Sequence, residues 1–129
     1  MEKIQKILIV DDELNMRFLL KEALEEFEDK GVELLEAENG SDAIEFIRTE
    51  KPELVILDVI MPGISGFEVC NTVKNVLGLK AICILLLSIR VLLDDRRRGN
   101  SVGADYYIKK PFHPDELLNI VSKALGIEL

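Results

Sequence analysis

The sequence ILIVDDE at residues 7–13 joins four aliphatic residues to three carboxylates. The apolar run is continuous and strand-length, which predicts a strand that is buried on both faces of a sheet. The sequence LVILD at residues 54–58 repeats the arrangement, with one aspartate after a second apolar run. Together the two segments indicate a parallel sheet in which acidic residues follow the carboxyl ends of buried strands.

Short apolar runs alternate with segments of helical periodicity along the chain. The predicted strands cover residues 7–10, 34–37, 54–57, 82–87 and 106–108, and three of them are continuous enough to be buried on both faces. Between them, apolar residues recur at helical spacing, in four sets: Leu20, Ala23, Leu24 and Phe27; Ala43, Ile44 and Ile47; Phe67, Cys70, Val73 and Leu77; Leu117, Leu118, Val121 and Leu125. A weaker helix is expected over residues 94–102. The order predicts an α/β fold, a doubly wound five-stranded parallel sheet with five helices on its two faces.

Length, composition and charge restrict the class of protein. With 129 residues, 48% of them apolar, the chain can build one core, so we expect residues 1–129 to form a single domain. There is no run of about 20 apolar residues to span a membrane and no signal-peptide pattern, which predicts a soluble, cytoplasmic protein. The net charge of −8 argues against direct nucleic-acid binding. Cys70 and Cys83 lie in apolar patterns, which predicts buried, reduced thiols.

Chemically distinctive side chains follow the predicted strands, at the edge of a parallel sheet where ligands bind. They are Asp11, Asp12 and Glu13 after the first strand, Asp58 after the third, Ser88 after the fourth and Lys110 after the fifth. Each has an ordinary interpretation, as a helix start for Asp12, a turn residue for Asp58, a capping hydroxyl for Ser88 and a surface charge for Lys110. Their combination favours one shared site.

Carboxylates that converge on one crevice raise one another's pKa unless a cation joins them. Mg²⁺ meets this need, because it prefers oxygen ligands and usually takes one or two carboxylates together with a phosphate. Beside such an ion, Asp58 could act as a nucleophile toward phosphorus. Lys110 could then balance charge on the phosphoryl oxygens, and the Ser88 hydroxyl could supply a third contact.

Four motifs occur in the order and spacing of a known family. ILIVDDE at residues 7–13, LDVIMPG at 57–63, LS at 87–88 and GADYYIKKPF at 103–112 resemble the receiver domains of response regulators, over the whole chain. The resemblance implies a flavodoxin-like sheet of order 2-1-3-4-5 and a phosphoprotein of two-component phosphorelay signalling rather than an enzyme. It also implies a sensor histidine kinase or a phosphotransfer protein as partner, and a downstream protein that the sequence does not identify.

The resemblance assigns a role to each residue of the shared site. Asp58 would be the phosphoacceptor and Lys110 the phosphate-binding lysine, while Ser88 and Tyr107 would form the conformational switch. The implied Mg²⁺ ligands are Asp11, Asp12, Asp58 and the backbone carbonyl of Ile60. The family also implies a cis peptide bond before Pro111.

A partner surface is predicted at the start of the first helix. Leu14 and Phe18 are one turn apart and lie off the stripe that contains Leu20 and Leu24, so we expect both to face solvent. By resemblance, a kinase or a phosphotransfer helix bundle would pack there, on a patch bordered by Asn15, Met16, Leu19 and Phe112.

Two residues depart from the family pattern. Ile89 follows the switch hydroxyl where the family usually has a small residue, which predicts crowding of the pocket or slower entry of small phosphodonors. Ile60 lies two residues after the acceptor and is apolar, so it cannot position an attacking water. A long-lived phosphoaspartate would follow.

Three other functions fit parts of the pattern. A degenerate receiver could act as a phosphorylation-independent scaffold, although every acceptor-site residue is present. An aspartyl-nucleophile phosphohydrolase of the haloacid dehalogenase type carries a second aspartate two residues after the nucleophile, where this chain has Ile60. A flavin-binding module would need hydroxyls and free amides in the first loop, which is anionic here.

Overall fold

The computed structural model describes residues 3–89 and 92–129. Its five strands form one parallel sheet in the order β2-β1-β3-β4-β5. They are β1 Lys6–Val10, β2 Glu33–Ala37, β3 Leu54–Asp58, β4 Cys83–Ser88 and β5 Tyr106–Lys109. No predicted strand boundary differs from the structure by more than one residue, and the predicted fold class and sheet order are confirmed.

Six α-helices lie among the described residues, so the prediction of five was wrong. They are α1 Leu14–Ala23, α2 Glu25–Asp29, α3 Gly40–Glu50, α4 Gly66–Asn71, α5 Leu93–Ser101 and α6 Pro114–Leu125. The first predicted helix is divided at Leu24, whose N–H bonds to the carbonyls of both Leu20 and Lys21 as the last turn of α1 tightens. The apolar stripe continues across the break, because Leu20, Leu24 and Phe27 are all buried. Periodicity alone therefore could not reveal the division.

The third predicted helix differs from the structure at its end. A π-helical turn, Thr72–Val76, continues α4. Phe67, Cys70 and Val73 are buried as predicted, whereas Leu77 is 38% exposed. The π turn takes more residues than an α turn, so it rotates the following side chains away from the core. Leu77 thereby leaves the predicted stripe.

The core consists of two apolar layers, one on each face of the sheet. Residues of β1, β3 and β4 alternate between the layers and are buried on both faces, as their continuous apolar runs predict. Helices α3 and α4 cover the layer that contains Leu8, Val55 and Leu86. Helices α1, α2 and α6 cover the layer that contains Ile9 and Ile56. The doubly wound arrangement leaves the carboxyl ends of the strands open at one edge.

The two cysteines are free thiols within the core layers. Cys70 is buried and Cys83 is partly buried. Burial raises the pKa of the Cys70 thiol to about 12 and that of Cys83 to about 11, so neither is a thiolate near neutral pH. As for membrane insertion, none of the helices in the described part of the chain has the length and apolar character to span a bilayer.

Candidate functional site

Four polar side chains that the sequence singles out are buried at the carboxyl edge of the sheet. Asp11 follows β1, Asp58 ends β3, Ser88 ends β4 and Lys110 follows β5. Their exposed fractions are 1%, 5%, 1% and 8%, respectively. Burial of four polar side chains among aliphatic strands is costly unless they bind one another or a ligand. The site therefore lies where β1, β3, β4 and β5 end side by side.

The Lys110 ammonium joins two of the carboxylates. Its Nζ donates to Asp11 Oδ2 at 2.9 Å and lies 3.2 Å from Asp58 Oδ1. The peptide bond between Lys110 and Pro111 is cis, as the resemblance implies. Lys110 thus holds two negative charges together at the edge of the sheet.

The pKa values in this cluster are displaced by burial and by neighbouring charges. Burial, followed by repulsion from Asp11, raises the pKa of Asp58 to about 6 even though Lys110 opposes the change. Burial alone would lower the pKa of Lys110, but its contacts with Asp11 and Asp58 raise it above its usual value. Lys110 is therefore a permanent cation, whereas Asp58 is a carboxylate with a reduced preference for its charged form.

The loop after β1 presents a group of carboxylates that could hold a metal ion. Oxygens of Asp11, Asp12 and Glu13 lie within 4.8 Å of one another, and Asp12 and Glu13 are exposed. Asp58 is not a member of this group, although its charge interacts with that of Asp11. The donors are all carboxylate oxygens, which suits a hard cation such as Mg²⁺ better than a soft one. Of the predicted ligands, Asp11 and Asp12 thus belong to this acidic group, and Asp58 is linked to Asp11 through the Lys110 ammonium.

The loop after β3 is held close to that strand by a glycine. A side chain at Gly66 would place its Cβ 2.3 Å from the Asp58 carbonyl oxygen, and the Gly66 N–H donates to the Val59 carbonyl at 2.8 Å. The Ile60 N–H points at Asp58 Oδ1 from 3.4 Å, and the Ile60 side chain is 57% exposed. Sequence position gives no sign of the role of Gly66, because the need for a residue without Cβ appears only when α4 is packed against β3.

The sequence matches the response regulator receiver domain over residues 7–122. The chain belongs to the receiver family. Among its relatives, PhoB of Pseudomonas aeruginosa, a phosphate regulon transcriptional regulatory protein, is 43% identical over 87% of this receiver and 48% of its own length. PilH of the same organism is 32% identical over 94% of this receiver and 98% of its own length. This receiver therefore spans about half the length of PhoB but nearly all of PilH.

A solved structure shares the same fold. The chemotaxis protein CheY4 of Vibrio cholerae superposes with a TM-score of 0.83 at 30% identity, over 95% of this receiver and 99% of that chain. Receivers are signalling domains of two-component and chemotaxis systems, and Mg²⁺ binding and phosphorylation are typical of the family. The residues that the sequence singles out lie at one edge of this shared fold.

The predicted switch residues of the receiver border one cavity. It has a volume of about 260 Å³, and Ser88 and Tyr107 both line it together with Phe67 and Arg98. The Tyr107 ring is partly buried, with its centroid 6.1 Å from that of Phe67, and Arg96 lies over its face. Tyr107 is thus partly buried, at the wall of a cavity that Ser88 also lines.

The predicted docking residues of the receiver fall into two groups. Leu14, Phe18 and Leu19 are 68%, 57% and 49% exposed, and Asn15 is also exposed. Met16 and Phe112 are partly buried and pack against the core layer that α1 covers. Leu14, Phe18 and Leu19 thus expose apolar side chains on α1, which begins directly after the acidic loop.

Other surface residues of the receiver bear on the remaining predictions. Ile89 is 69% exposed, so its side chain faces solvent rather than the core. The three arginines at residues 96–98 each contact another side chain of the chain. Arg96 lies over the ring of Tyr107, Arg98 lies over the ring of Phe67, and Arg97 lies 3.8 Å from Asp94. These contacts favour a helix face rather than a nucleic-acid site as the role of this run.

Proposed function

We propose that this receiver accepts a phosphoryl group from a sensor histidine kinase or a phosphotransfer protein onto Asp58, with Mg²⁺ as cofactor, and that the modification controls a partner protein. The observation that carries the proposal is the buried Lys110 ammonium between Asp11 and Asp58. A permanent cation beside a buried carboxylate is an arrangement that favours an incoming dianion. We also propose that residues 1–129 form one domain that acts in the cytoplasm.

Asp58 Oδ2 is the oxygen that we assign to attack on phosphorus. Lys110 and the Ile60 N–H both approach Oδ1, so we assign the other carboxylate oxygen, Oδ2, to the donor. The new O–P bond forms as the bond between phosphorus and the donor nitrogen breaks, and the electron pair of that bond leaves with the imidazole. Lys110 then neutralises part of the charge on the transferred group, and Ser88 donates its hydroxyl to a phosphoryl oxygen.

Asp11 and Asp12, with Asp58 and the Ile60 carbonyl, would hold the metal ion. When bound, Mg²⁺ supplies charge neutralisation between the carboxylates and the phosphoryl oxygens. Asp11 is suited to this role because its carboxylate is oriented from two sides. Oδ2 accepts from Lys110, and Oδ1 accepts from the Glu13 N–H at 2.9 Å.

The switch would use the cavity between Ser88 and Tyr107. A phosphoryl group brings nearly two negative charges, which would draw the Ser88 hydroxyl toward Asp58. Tyr107 could then move into the space of about 260 Å³ that both residues line. The movement would alter the surface formed by α5, β5 and α6, where a downstream protein would read it.

The α1 patch, defined by Leu14, Phe18 and Leu19, is the docking surface that we propose for the phosphodonor protein. The patch lies next to the acidic loop, so a helix bundle that packs on it could present a phosphohistidine to Asp58. Met16 and Phe112 would support the patch from the core side rather than contact the partner directly.

Intact-mass measurement after incubation with a small phosphodonor and Mg²⁺ tests the proposal. The wild-type chain should gain one phosphoryl group, and Asp58→Asn should gain none. Asp94→Asn, which changes a side chain that is 95% exposed, is the matched control and should be labelled like the wild type. Labelling of the Asp58 variant would show that the acceptor is elsewhere.

The same measurement separates the alternative functions. A scaffold that works without phosphorylation would remain unlabelled under every condition. A phosphohydrolase would release phosphate continuously without a lasting label, but it would need an acid where the chain has the exposed Ile60 side chain. A stable single label supports the phosphoacceptor.

A further inference from the structure

Arg17 connects the acidic loop after β1 to the neighbouring strand β2. It lies on α1, and its side chain is only 12% exposed. Nη1 donates to the carbonyl oxygen of Asp11 at 2.8 Å, and Nε donates to Glu36 Oε1 on β2 at 3.0 Å. One guanidinium therefore links the β1–α1 loop, the first helix and the edge strand.

The carbonyl that Arg17 holds belongs to the peptide unit between Asp11 and Asp12. Because a peptide unit is planar, its orientation constrains the directions in which the two flanking residues leave it. Other contacts also hold the loop: the Asp11 N–H donates to the Ala37 carbonyl at 3.2 Å, the Glu13 N–H donates to Asp11 Oδ1, and Lys110 donates to Asp11 Oδ2. Arg17 supplies the contact on the carbonyl side of the same peptide.

Glu36 anchors the guanidinium. Its second carboxylate oxygen lies 3.0 Å from the ammonium of Lys21, one helical turn after Arg17. Burial raises the pKa of Glu36, but hydrogen bonds from Lys21 and Arg17 outweigh it and hold that pKa below its ordinary value. Glu36 therefore stays ionised near neutral pH, and Arg17 keeps its anchor.

We propose that Arg17 is a positioning residue for the cation site, which holds the Asp11–Asp12 peptide in the orientation that lets both carboxylates face one metal ion. The inference rests on the proposed Mg²⁺-dependent function. Arg17 acts through a contact with the backbone. Its removal should therefore change the Mg²⁺ affinity in the direction opposite to that expected from its charge alone. Removal of a positive charge near a cation site should tighten metal binding by Coulomb's law, whereas loss of the positioning contact should weaken it.

The direction of the change in Mg²⁺ affinity can be tested by titrating the metal-free chain with Mg²⁺ and monitoring the amide NMR shifts. Arg17→Met should weaken Mg²⁺ binding about tenfold, the lower end of the range of about 10- to 100-fold for lost supporting contacts at metal sites. Lys21→Met is the matched control, because it removes a cation from the same Glu36 but leaves the Asp11 carbonyl held. Its affinity should stay within about twofold of the wild type or tighten. Arg17→Gln, which is too short to bridge both partners, serves if the methionine variant does not fold.

Amide hydrogen exchange without metal gives a second, independent readout. Exchange at Asp11 and Glu13, whose N–H groups are hydrogen-bonded, should become faster in the Arg17 variants and remain unchanged in Lys21→Met. If the wild type binds Mg²⁺ and the Arg17 variants bind it as tightly or more tightly, the inference is wrong. If the wild type binds no Mg²⁺, the proposed cation site is wrong; faster exchange confined to the Arg17 variants would then still support loop positioning, and equal exchange would overturn it.

Discussion

Replacement of Asp58 by asparagine should make the metal-free protein more stable near neutral pH. Asp58 is only 5% exposed, and burial together with repulsion from Asp11 raises its pKa from 3.8 to about 6. The folded state therefore binds a proton more tightly than the unfolded state, so ionisation of Asp58 costs stability as pH rises from about 4 to about 6. The pKa difference corresponds to about 3 kcal/mol at pH 7. Lys110 retains Asp11 as a partner in the variant.

Urea unfolding of the wild type and of Asp58→Asn across pH 4 to 8, with a chelator present, measures the effect of Asp58 ionisation on the free energy of unfolding. The difference between the two proteins cancels the titration of every group that does not interact with Asp58, so what remains is the titration of Asp58 and its coupling to Asp11 and Lys110. It should be near zero at pH 4, grow to about 3 kcal/mol in favour of the variant at pH 7, and then remain constant. Millimolar Mg²⁺ should narrow the gap, because the wild type offers the ion the Asp58 carboxylate in addition to the ligands that both proteins share. A variant that is equally or less stable than the wild type at pH 7 would refute the electrostatic argument.

Three further outcomes are expected. Phe18→Glu should slow phosphotransfer from the cognate kinase about tenfold, since loss of an apolar anchor costs more than about 1 kcal/mol of binding free energy. It should leave labelling by a small phosphodonor unchanged, and equal losses in both assays would contradict the docking surface. Gly66→Ala should lower the free energy of unfolding by at least about 2 kcal/mol through the clash with the Asp58 carbonyl, whereas Gly126→Ala, with open space around it, should cost about 1 kcal/mol. The ring signals of Tyr107 in NMR spectra should shift when a stable phosphoryl mimic binds; unchanged signals with the mimic bound would exclude this residue as the switch.

The order of apolar runs and helical segments was sufficient to predict most of the fold. Strands buried on both faces can be read from residues 7–10 and 54–57 because parallel sheets leave no polar face to interrupt the apolar run. The same logic places Asp11, Asp58, Ser88 and Lys110 at one edge, since parallel strands all end on the same side. The edge of the candidate site was therefore determined by sequence position alone.

Other features depend on contacts between elements that are distant in sequence. The break at Leu24 and the π turn at Thr72–Val76 are local backbone adjustments that leave most of the apolar pattern intact. Lys74 is 4% exposed and bonds to Asp105, 31 residues later, yet nothing in its sequence neighbourhood indicates burial. Periodicity reports which face of an element is apolar, not which polar group will meet it across a packed interface.

The finer geometry of the site was decided in the same way. The sequence placed Lys110 beside the site, but only the packed sheet brings its ammonium within 2.9 Å of Asp11, across 99 residues of chain. Likewise, only the docking of α1 on β2 carries Arg17 to both Glu36 and the Asp11 carbonyl. Sequence spacing determines the strand end at which a residue lies. The distances and pKa values arise from side chains that distant elements press together in a space from which water is excluded.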